Sequence, residues 1–441
     1  MMKNTGSSTP PSFIGIDVGT SGIRAMIIDD NKNILASSMQ DMPAPKQPQP
    51  HYSEQQPSVW WQTLQSVLAD LAMQFDFESI KTVSLDATSS TVLLINQQGE
   101  PLTSGLMYND QRAIEYVESI KQHAPANSPT CSSTSGLAKA LWLMTMLKEK
   151  HPQTETAYLA HQADWLAAQL THRFHLTDSN NALKSGYDPI SKQWPLWLTK
   201  LGIKDQQLPH VSDAGTLLCP LHNQIIQQYG FNPDVQFVSG TTDSTAALLA
   251  TGANQIGDAV TSLGSTLVLK IISDKPVFSS EQGIYSQPFG KHWLVGGASN
   301  TGGAVLRHYF TDQQMSQLET RLHPEQPTGL NYYPLLQSGE RFPINNPHQT
   351  PCLEPRPEDD AIFFQAMLEG IASIEQQGYQ KLQQLGAPSP IRLLSVGGGT
   401  VNQAWTTIRN QLLNIPMQNV LNKHAAFGAA LLAKQGYDSK N

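Results

Sequence analysis

The chain has 441 residues, of which 39% are hydrophobic and 15% charged, and its formal net charge at pH 7 is −8. This length exceeds what a single hydrophobic core usually spans, so two domains are expected. The composition excludes a disordered chain and a membrane-embedded one. No basic cluster stands out, and nucleic acid is therefore not an expected partner.

The cysteines and the N-terminal residues indicate the cellular compartment in which the protein is expected. Cys131, Cys219 and Cys352 lie far apart, with spacing typical of neither a disulfide framework nor a metal site. The first twelve residues are polar and lack the apolar core of a secretion signal, and no apolar stretch is long enough to cross a bilayer. We therefore expect a reduced, cytoplasmic protein without a membrane partner.

The predicted elements of the first half alternate between strands and helices. Apolar alternation predicts strands, and helical spacing of apolar residues predicts helices. The expected strands cover 13–17, 23–28, 33–39 and 80–87, followed by a hairpin over 91–102, and the expected helices cover 60–71, 137–150 and 154–170.

The same alternation returns after a Pro- and Gly-containing stretch at 205–236, which is the predicted domain boundary. The expected domains are therefore 12–234 and 235–436. A strand–turn–strand pattern around Gly19-Thr20 has a weak counterpart around Gly264-Ser265, which suggests two related domains. The expected strands of the second half cover 235–240, 258–263, 266–272 and 391–396, and the expected helices run to 249 and over 362–385, 403–413 and 425–434.

The segment Asp17-Val-Gly-Thr-Ser21 ends the first strand in a carboxylate and a turn of small residues. Such a turn can place N–H groups and hydroxyls against a phosphate, and Asp17 can hold Mg²⁺ together with phosphate oxygens. Five residues of this kind are also typical of a plain β-turn, in which Asp and Gly serve the turn itself.

Asp243 lies between a strand and a helix in Gly240-Thr-Thr-Asp-Ser. A carboxylate at this position can cap the helix. It can equally act as a general base that takes the proton of an acceptor hydroxyl during phosphoryl transfer. The local sequence supports both interpretations.

Two further glycine-containing turns follow predicted strands. They are Gly264-Ser-Thr and Gly397-Gly-Gly-Thr-Val-Asn402, and the second precedes a helix. Glycine permits close approach of a ligand to the backbone, and a helix N-terminus favours an anion. Neither turn has the spacing of a P-loop or of a dinucleotide-binding motif.

The turn Asp86-Ala-Thr-Ser-Ser-Thr91 carries four hydroxyls that suit a polyol, although an exposed polar turn would look the same. Tyr108, Asp110, Arg112 and the Asp164-Trp165 pair are open to the same two interpretations. An Asp before an apolar helix is more often a cap than a ligand.

Taken together, these motifs resemble the FGGY family of carbohydrate kinases. The resemblance runs in order from Ile14 to about Ala433. Its segments are GIDVGTSGIRA (15–25), YNDQRA (108–113), QADWLAAQLT (162–171), SGTTDSTAALLATG (239–252), SLGST (262–266), SNTGGAVL (299–306), PLLQSGERFP (334–343) and SVGGGTVNQAW (395–405).

The resemblance implies an α/β fold of two actin-like (ribonuclease H-like) domains with a central cleft, ATP and Mg²⁺ as cofactors, and a small sugar as partner. It implies that Asp17 lies near the metal, and that Asp243 is the catalytic base. Nucleotide contacts are implied for Gly19, Thr20, Ser21, Gly264, Ser265, Gly398, Gly399, Asn402 and Trp405.

The form Asp-x-Thr at residues 86–88 resembles the compact ribulose kinases more than xylulose or glycerol kinases. This resemblance implies D-ribulose as the substrate, with contacts from Asp17, Ser89, Ser90 and Asp243. D-xylulose, ribitol and glycerol remain alternative acceptors. A non-catalytic actin-fold protein that binds ATP or sugar is a further alternative, and a monomer or homodimer is expected.

Overall fold

A computed structural model describes residues 10–153 and 156–440, which form two compact units. The first unit comprises the described residues up to Ala250 together with those from His424 onward, and the second is Thr251–Lys423. The division after Ala250 differs from the expected boundary at 234/235. The reason is that the strand over 236–242 pairs within the sheet of the first unit.

The first three strands of the first unit form an antiparallel meander. In chain order, the strands of this unit are β1 (Ser12–Val18), β2 (Gly22–Asp29), β3 (Ile34–Asp41), β4 (Glu54–Gln55), β5 (Ile80–Ala87), β6 (Val92–Ile95), β7 (Gly105–Leu106), β8 (Tyr158–His161), β9 (Leu176–Asp178), β10 (His210–Ser212), β11 (Leu217–Pro220) and β12 (Gln236–Thr242). The helices are α1 (Pro57–Gln74), α2 (Tyr116–Lys121), α3 (Gly136–Lys150), α4 (Gln162–Thr171), α5 (Ser179–Leu183), α6 (Trp197–Lys200), α7 (Asn223–Tyr229) and α8 (Asp243–Ala250).

The second unit repeats the pattern with fewer elements. Its strands are β13 (Asp258–Leu263), β14 (Leu267–Ser273), β15 (Tyr285–Phe289), β16 (His292–Ala298), β17 (Arg392–Val396) and β18 (Met417–Gln418). Its helices are α9 (Gly303–Tyr309), α10 (Asp312–Glu319), α11 (Asp360–Gln384) and α12 (Gln403–Leu413), after which the chain returns to the first unit as α13 (Ala425–Asp438).

Five strands of the main sheet in each unit share one topology, and the sixth strand lies at opposite edges. The first sheet has the order β11-β12-β5-β1-β2-β3, and the second sheet has the order β15-β16-β14-β13-β17-β18. In each, an antiparallel meander (β1-β2-β3 or β13-β14-β16) is extended by two parallel strands beside its first strand (β5 and β12, or β17 and β18). This agrees with the expected α/β fold of two actin-like domains.

Buried apolar faces hold each sheet to its helices, because apolar area removed from water is the main favourable term in folding. In the first unit, β1 and β5 are buried on nearly all positions, as central strands covered on both faces are. Trp60, Leu64 and Leu71 of α1 are buried in the same core. In the second unit, Phe363, Met367 and other residues of α11 fill the equivalent space.

One expected element differs from the structure. The helix expected over 154–170 is strand β8 followed by α4, and its first two residues lie outside the described residues. The pairing of β8 with β6 is a long-range contact that a local pattern does not carry. The hairpin expected over 91–102 is present, because Ile95 forms an antiparallel bridge with Pro101 and the N–H of Leu102 donates to the carbonyl of Leu94 at 2.8 Å.

No helix among residues 10–153 and 156–440 has the length and apolar character needed to cross a membrane.

Candidate active site

Three carboxylates meet at the ends of neighbouring strands in the first unit. Asp17 on β1 is the register partner of Asp86 on β5. Thr241 on β12 is the partner of Asp86 on its other side, and Asp243 follows two residues later as the first residue of α8. The parallel arrangement of β1, β5 and β12 therefore brings together side chains separated by more than two hundred residues in sequence.

A bulge in β12 sets the position of Asp243. The register between β12 and β5 shifts between Val238 and Thr241, and Gly240 lies within the shift. A Cβ on Gly240 would collide with the carbonyl oxygen of Leu85, so the close approach of the two strands requires glycine. Asp243 itself accepts a hydrogen bond from the N–H of Ser244 at 2.6 Å.

The electrostatics of this cluster are unfavourable in the absence of a cation. Burial, together with the negative charge of Asp243, raises the pKa of Asp17 to about 6. Burial and the charges of Asp17 and Asp243 raise the pKa of Asp86 well above its usual range. Neither oxygen of Asp86 receives a hydrogen bond from an amide, hydroxyl or cationic group of the described residues. Closely spaced carboxylates with raised pKa values are typical of functional sites.

The donor set suits a hydrated magnesium ion that is shared with phosphate oxygens. Among the described residues, no group of three or more His, Cys, Asp or Glu side chains is arranged to hold a metal ion by itself. Mg²⁺ typically takes one or two carboxylates plus phosphate oxygens and water. A divalent cation at Asp17 would also offset the burial and the nearby charge of Asp243, which together raise the pKa of this carboxyl.

The turn after Asp17 presents polar groups at the surface of the first unit. Gly19 donates its N–H to the carbonyl of Gly22 at 3.0 Å, which closes the turn between β1 and β2. Thr20 is half-buried and Ser21 is exposed. The carbonyl of Ser21 accepts a hydrogen bond from Met42 at 2.8 Å, which anchors the turn to the chain after β3.

The hydroxyl-rich turn follows directly from Asp86. Ser89 is half-buried, and Ser90 is buried in a left-handed conformation with φ of 68°. Neither hydroxyl has a hydrogen-bond partner within the described part of the chain. Thr88 and Thr91, by contrast, bond to each other at 2.5 Å, and Thr88 donates to Gln162 at 2.8 Å. The two threonines hold the turn, and the two serines are left for other contacts.

Two of the other polar motifs are structural. Asp110 is buried and accepts hydrogen bonds from the N–H of Ser53 at 2.6 Å and from the guanidinium of Arg112 at 3.0 Å. Asp164 caps the start of α4 by accepting from the N–H of His161 at 2.9 Å. The capping interpretation of Asp164 is therefore confirmed.

The second unit contains a cavity of about 550 Å³, which is within the usual size of a small-molecule pocket. All of the predicted nucleotide contacts of this unit line it: Gly264, Ser265, Gly398, Gly399, Asn402 and Trp405. Apolar side chains of α9, α10 and α11 form the remaining walls, among them Leu306, Met315, Phe364 and Leu368.

Glycines let the backbone form the cavity wall. Gly397 has φ of 92°, a conformation that side chains rarely adopt, and turns the chain from β17 into a 3₁₀ turn, Gly398–Val401. Asn402 then caps α12, since its Oδ1 accepts the N–H of Trp405 at 2.7 Å. The buried indole of Trp405 donates to the carbonyl of Leu368 at 3.1 Å and lies beneath Gly399. Asn402 and Trp405 thus support the wall as well as lining it.

The structure also adds residues that sequence reasoning missed. Arg307 on α9 lines the cavity, close to Gly303 and Gly398, and its Nε lies 3.1 Å from an oxygen of Asp312. The sequence marks Asp86 only as part of its turn, and the strand register places it beside Asp17. The one available sequence signal for Arg307 was its position directly after the segment at 299–306.

Comparison with known proteins agrees with this arrangement. Residues 12–250 match the N-terminal domain model of the FGGY family of carbohydrate kinases, and residues 259–435 match its C-terminal domain model. The chain belongs to the FGGY family of carbohydrate kinases. As a family member it is an ATP-dependent sugar kinase, and ATP is one of its substrates.

Individual relatives are distant but cover most of the chain. The xylulose kinase of Escherichia coli is 22% identical over 96% of this chain and 89% of its own. The gluconokinase of Bacillus subtilis is 23% identical over 76% and 69%. The crystal structure of a "xyloylose kinase" from Brucella ovis superimposes with a TM-score of 0.88 at 22% identity, covering 98% of this chain and 91% of that one.

Proposed function

We propose that this kinase phosphorylates a ketopentose, and that D-ribulose, converted to D-ribulose 5-phosphate, is its preferred substrate. The observation that carries the proposal is the turn Asp86-Ala-Thr-Ser-Ser-Thr91 beside the carboxylate cluster. Its Asp-x-Thr form resembles that of ribulose kinases. Ser89 and Ser90 supply hydroxyls without hydrogen-bond partners among the described residues, and these suit the hydroxyls of a polyol.

In the proposed reaction, Asp243 acts as the general base. Its carboxylate orients the acceptor hydroxyl and takes the proton as the oxygen forms its bond to the γ-phosphorus. The bond between that phosphorus and the bridging oxygen of ATP breaks, and ADP leaves with the bond's electron pair. The bound proton is later released to solvent. The negative charge of ionised Asp17 favours a cation here.

The nucleotide is proposed to bind in the cavity of the second unit. Backbone N–H groups of Gly264, Gly398 and Gly399 suit phosphate oxygens, and the apolar wall suits a nucleobase. In the first unit, Gly19, Thr20 and Ser21 are proposed to contact the phosphates. Asp17 would hold Mg²⁺, which when bound neutralises developing phosphoryl charge. We further propose a cytoplasmic monomer or homodimer.

A second candidate acceptor is D-xylulose. Several of the relatives that cover nearly the whole chain are named xylulose kinases. At 20–22% identity this similarity does not carry substrate specificity. The two candidates differ in the configuration of one hydroxyl, so direct comparison of the two sugars separates them.

The test is a substrate panel. Purified protein is incubated with Mg²⁺-ATP and D-ribulose, L-ribulose, D-xylulose, ribitol, xylitol or glycerol, and ADP release is followed. We expect the highest kcat/KM with D-ribulose. A higher value with D-xylulose or another polyol would overturn the substrate assignment and leave the mechanism in place.

A control separates a kinase from a non-catalytic sugar-binding protein. Binding of ATP and of each sugar is measured by calorimetry in parallel with ADP release. Sugar binding without sugar-stimulated ADP release would contradict the proposed role of Asp243. The identity of the phosphorylated carbon follows from NMR of the product.

A further inference from the structure

A buried ionic network in the second unit joins the elements that carry the two glycine turns of the cavity. Arg409 on α12 and Glu375 on α11 are both buried. Their contact is bidentate, with Arg409 Nε 2.6 Å from Glu375 Oε2 and Nη2 2.8 Å from Oε1. Such paired, parallel contacts fix two side chains in both distance and orientation.

The network extends to both strands that end at the cavity. Thr261 on β13 donates its hydroxyl to Glu375 at 2.5 Å and lies 2.8 Å from the hydroxyl of Tyr379. Arg409 Nη2 donates to the hydroxyl of Ser395 on β17 at 3.0 Å. Thr261 is three residues before Gly264, and Ser395 is two residues before Gly397.

We propose that Arg409 and Glu375 are positioning residues for the nucleotide. Their pair fixes β13, β17, α11 and α12 relative to one another, and so sets the spacing of the glycine turns at Gly264 and Gly398. Neither side chain lines the cavity. They therefore act through the backbone, and this inference rests on the proposal that the cavity binds ATP.

Energetic considerations favour a positioning role over a purely stabilising one. Desolvation offsets much of the attraction between buried charges, and apolar residues of similar volume often replace such a pair without loss of stability. Apolar residues, however, cannot make the directed hydrogen bonds that hold Ser395 and Thr261 in position. A small shift of a binding loop has a large effect on ligand affinity and rate.

The chain supplies a matched control in a second bidentate pair. Arg392 and Asp258 join the same two strands, with both contacts at 2.7 Å. They are the first residues of β17 and β13, at the opposite ends of these strands from the glycine turns. Loss of this pair affects the fold of the unit without acting directly on the turns.

The experiment compares Glu375→Leu/Arg409→Met with Arg392→Met in the full-length protein. For each we would measure thermal stability, KM for ATP, KM for the sugar and kcat. We expect the double variant to raise KM for ATP about tenfold with an unchanged KM for the sugar. Arg392→Met is expected to leave both KM values within about twofold of wild type, whatever its effect on stability.

A milder variant keeps the test decisive if the double variant does not fold. Arg409→Lys retains the charge but loses the bidentate geometry, and a rise of about threefold in KM for ATP is expected. Values of KM for ATP within twofold of wild type in every folded variant would overturn the proposal. An equal rise in Arg392→Met would do the same.

A separate measurement tests the underlying assignment of the cavity. Gly264→Ala changes the cavity wall itself, and ATP affinity is measured by calorimetry. If Gly264→Ala leaves ATP affinity unchanged, the proposed nucleotide site fails. If it weakens ATP binding while the network variants do not, the positioning role alone is overturned.

Discussion

The β1–β2 hairpin of the first unit and the β13–β14 hairpin of the second have the same strand arrangement and opposite chemistry. Asp17 stands two residues before Gly19, where Ser262 stands two residues before Gly264. The first turn lies beside two more carboxylates, and the second opens on a cavity with apolar walls. One scaffold thus presents a turn at a strand end, and the neighbouring side chains decide what that turn can bind.

The largest expected effect follows from removal of the proposed general base, Asp243, in the carboxylate cluster of the first unit. Asp243→Asn should lower kcat about 10³-fold, because a positioned general base typically contributes 10²–10⁴-fold. ATP affinity should stay within about twofold, since Asp243 does not line the cavity in which ATP is proposed to bind. The measurement is steady-state kinetics together with ATP calorimetry.

Asp234→Asn is the matched control for this prediction. Asp234 is exposed and lies just before β12, the strand that leads to Asp243. The control should retain full turnover. Wild-type turnover in Asp243→Asn would show that another group accepts the proton.

A substitution in the cavity wall of the second unit should change KM for ATP instead of kcat. A Cβ on Gly264 would meet Thr266 O at 3.6 Å and Ser262 Oγ at 3.8 Å, so the fold has room for alanine. Gly264→Ala should raise KM for ATP about tenfold, which corresponds to about 1.4 kcal/mol, by obstructing the close approach of the ligand. Thermal stability should not change.

Gly19→Ala provides the corresponding variant in the first unit. Its Cβ would lie 3.4 Å from the carbonyl oxygen of Gly22, so it is tighter but still within contact distance. We expect a smaller rise in KM for ATP and a larger fall in kcat. Identical kinetic profiles for the two alanine variants would contradict a division of roles between the hairpins.

The next effect is on stability and has a defined pH dependence. The pKa of Asp17 is raised to about 6 in the folded state from 3.8. The folded state therefore favours the protonated form, so the contribution of this carboxyl to stability is fully present below about pH 4 and is lost as pH rises through about 6. Asp17→Asn should remove this fall and stabilise the protein by about 2–3 kcal/mol at pH 8. Denaturant unfolding at pH 4 and pH 8 measures the difference.

Asp258→Asn in the second unit should have the opposite sign. Burial raises the pKa of Asp258, but hydrogen bonds from Arg392 and from the backbone outweigh it, and the net pKa is lowered. Stability from this carboxylate is present above its unfolded pKa and is lost as pH falls. Asp258→Asn should therefore destabilise the protein at neutral pH. Stabilisation by Asp258→Asn, or an Asp17→Asn protein that is no more stable than wild type at pH 8, would refute the electrostatic contrast.

The smallest expected effect concerns the substrate turn. Ser89→Ala removes a hydroxyl that has no hydrogen-bond partner in the described part of the chain. It should raise KM for D-ribulose about fivefold, which corresponds to about 1 kcal/mol for one hydrogen bond. KM for ATP should not change. Thr88→Ser, which keeps the hydroxyl that holds the turn, is a suitable control. An unchanged sugar KM in Ser89→Ala would remove Ser89 from the proposed site.

Much of the fold was predictable from local patterns. The strands over β1, β2 and β5 and the helices α11 and α12 appear where apolar periodicity placed them, because burial on a fixed face leaves a fixed spacing. The return of the chain as α13 to the first unit left no such trace, since the helical pattern says nothing about which sheet a helix covers.

Part of the candidate site was also predictable from local sequence patterns. Turns after strands revealed Asp17, Asp243 and the glycines of the cavity, because strand ends carry recognisable small and acidic residues. Asp86 beside Asp17 depends on strand order, and Arg307 reaches the cavity from the interior of a helix. The linear sequence marks Asp86 only as part of its turn and Arg307 only by its position after the segment at 299–306, and it shows neither contact.

The placement of α13 has a consequence for the order in which the protein forms during synthesis. The residues of the first unit up to Ala250 leave the ribosome early, but α13 packs on β1, β5 and α8 and is made only after the whole second unit. Until then, one face of the first sheet, including Phe13 and Ile28, lacks its cover. The second unit can therefore complete its core first, and the half of the protein that is synthesised first is the last to become fully folded.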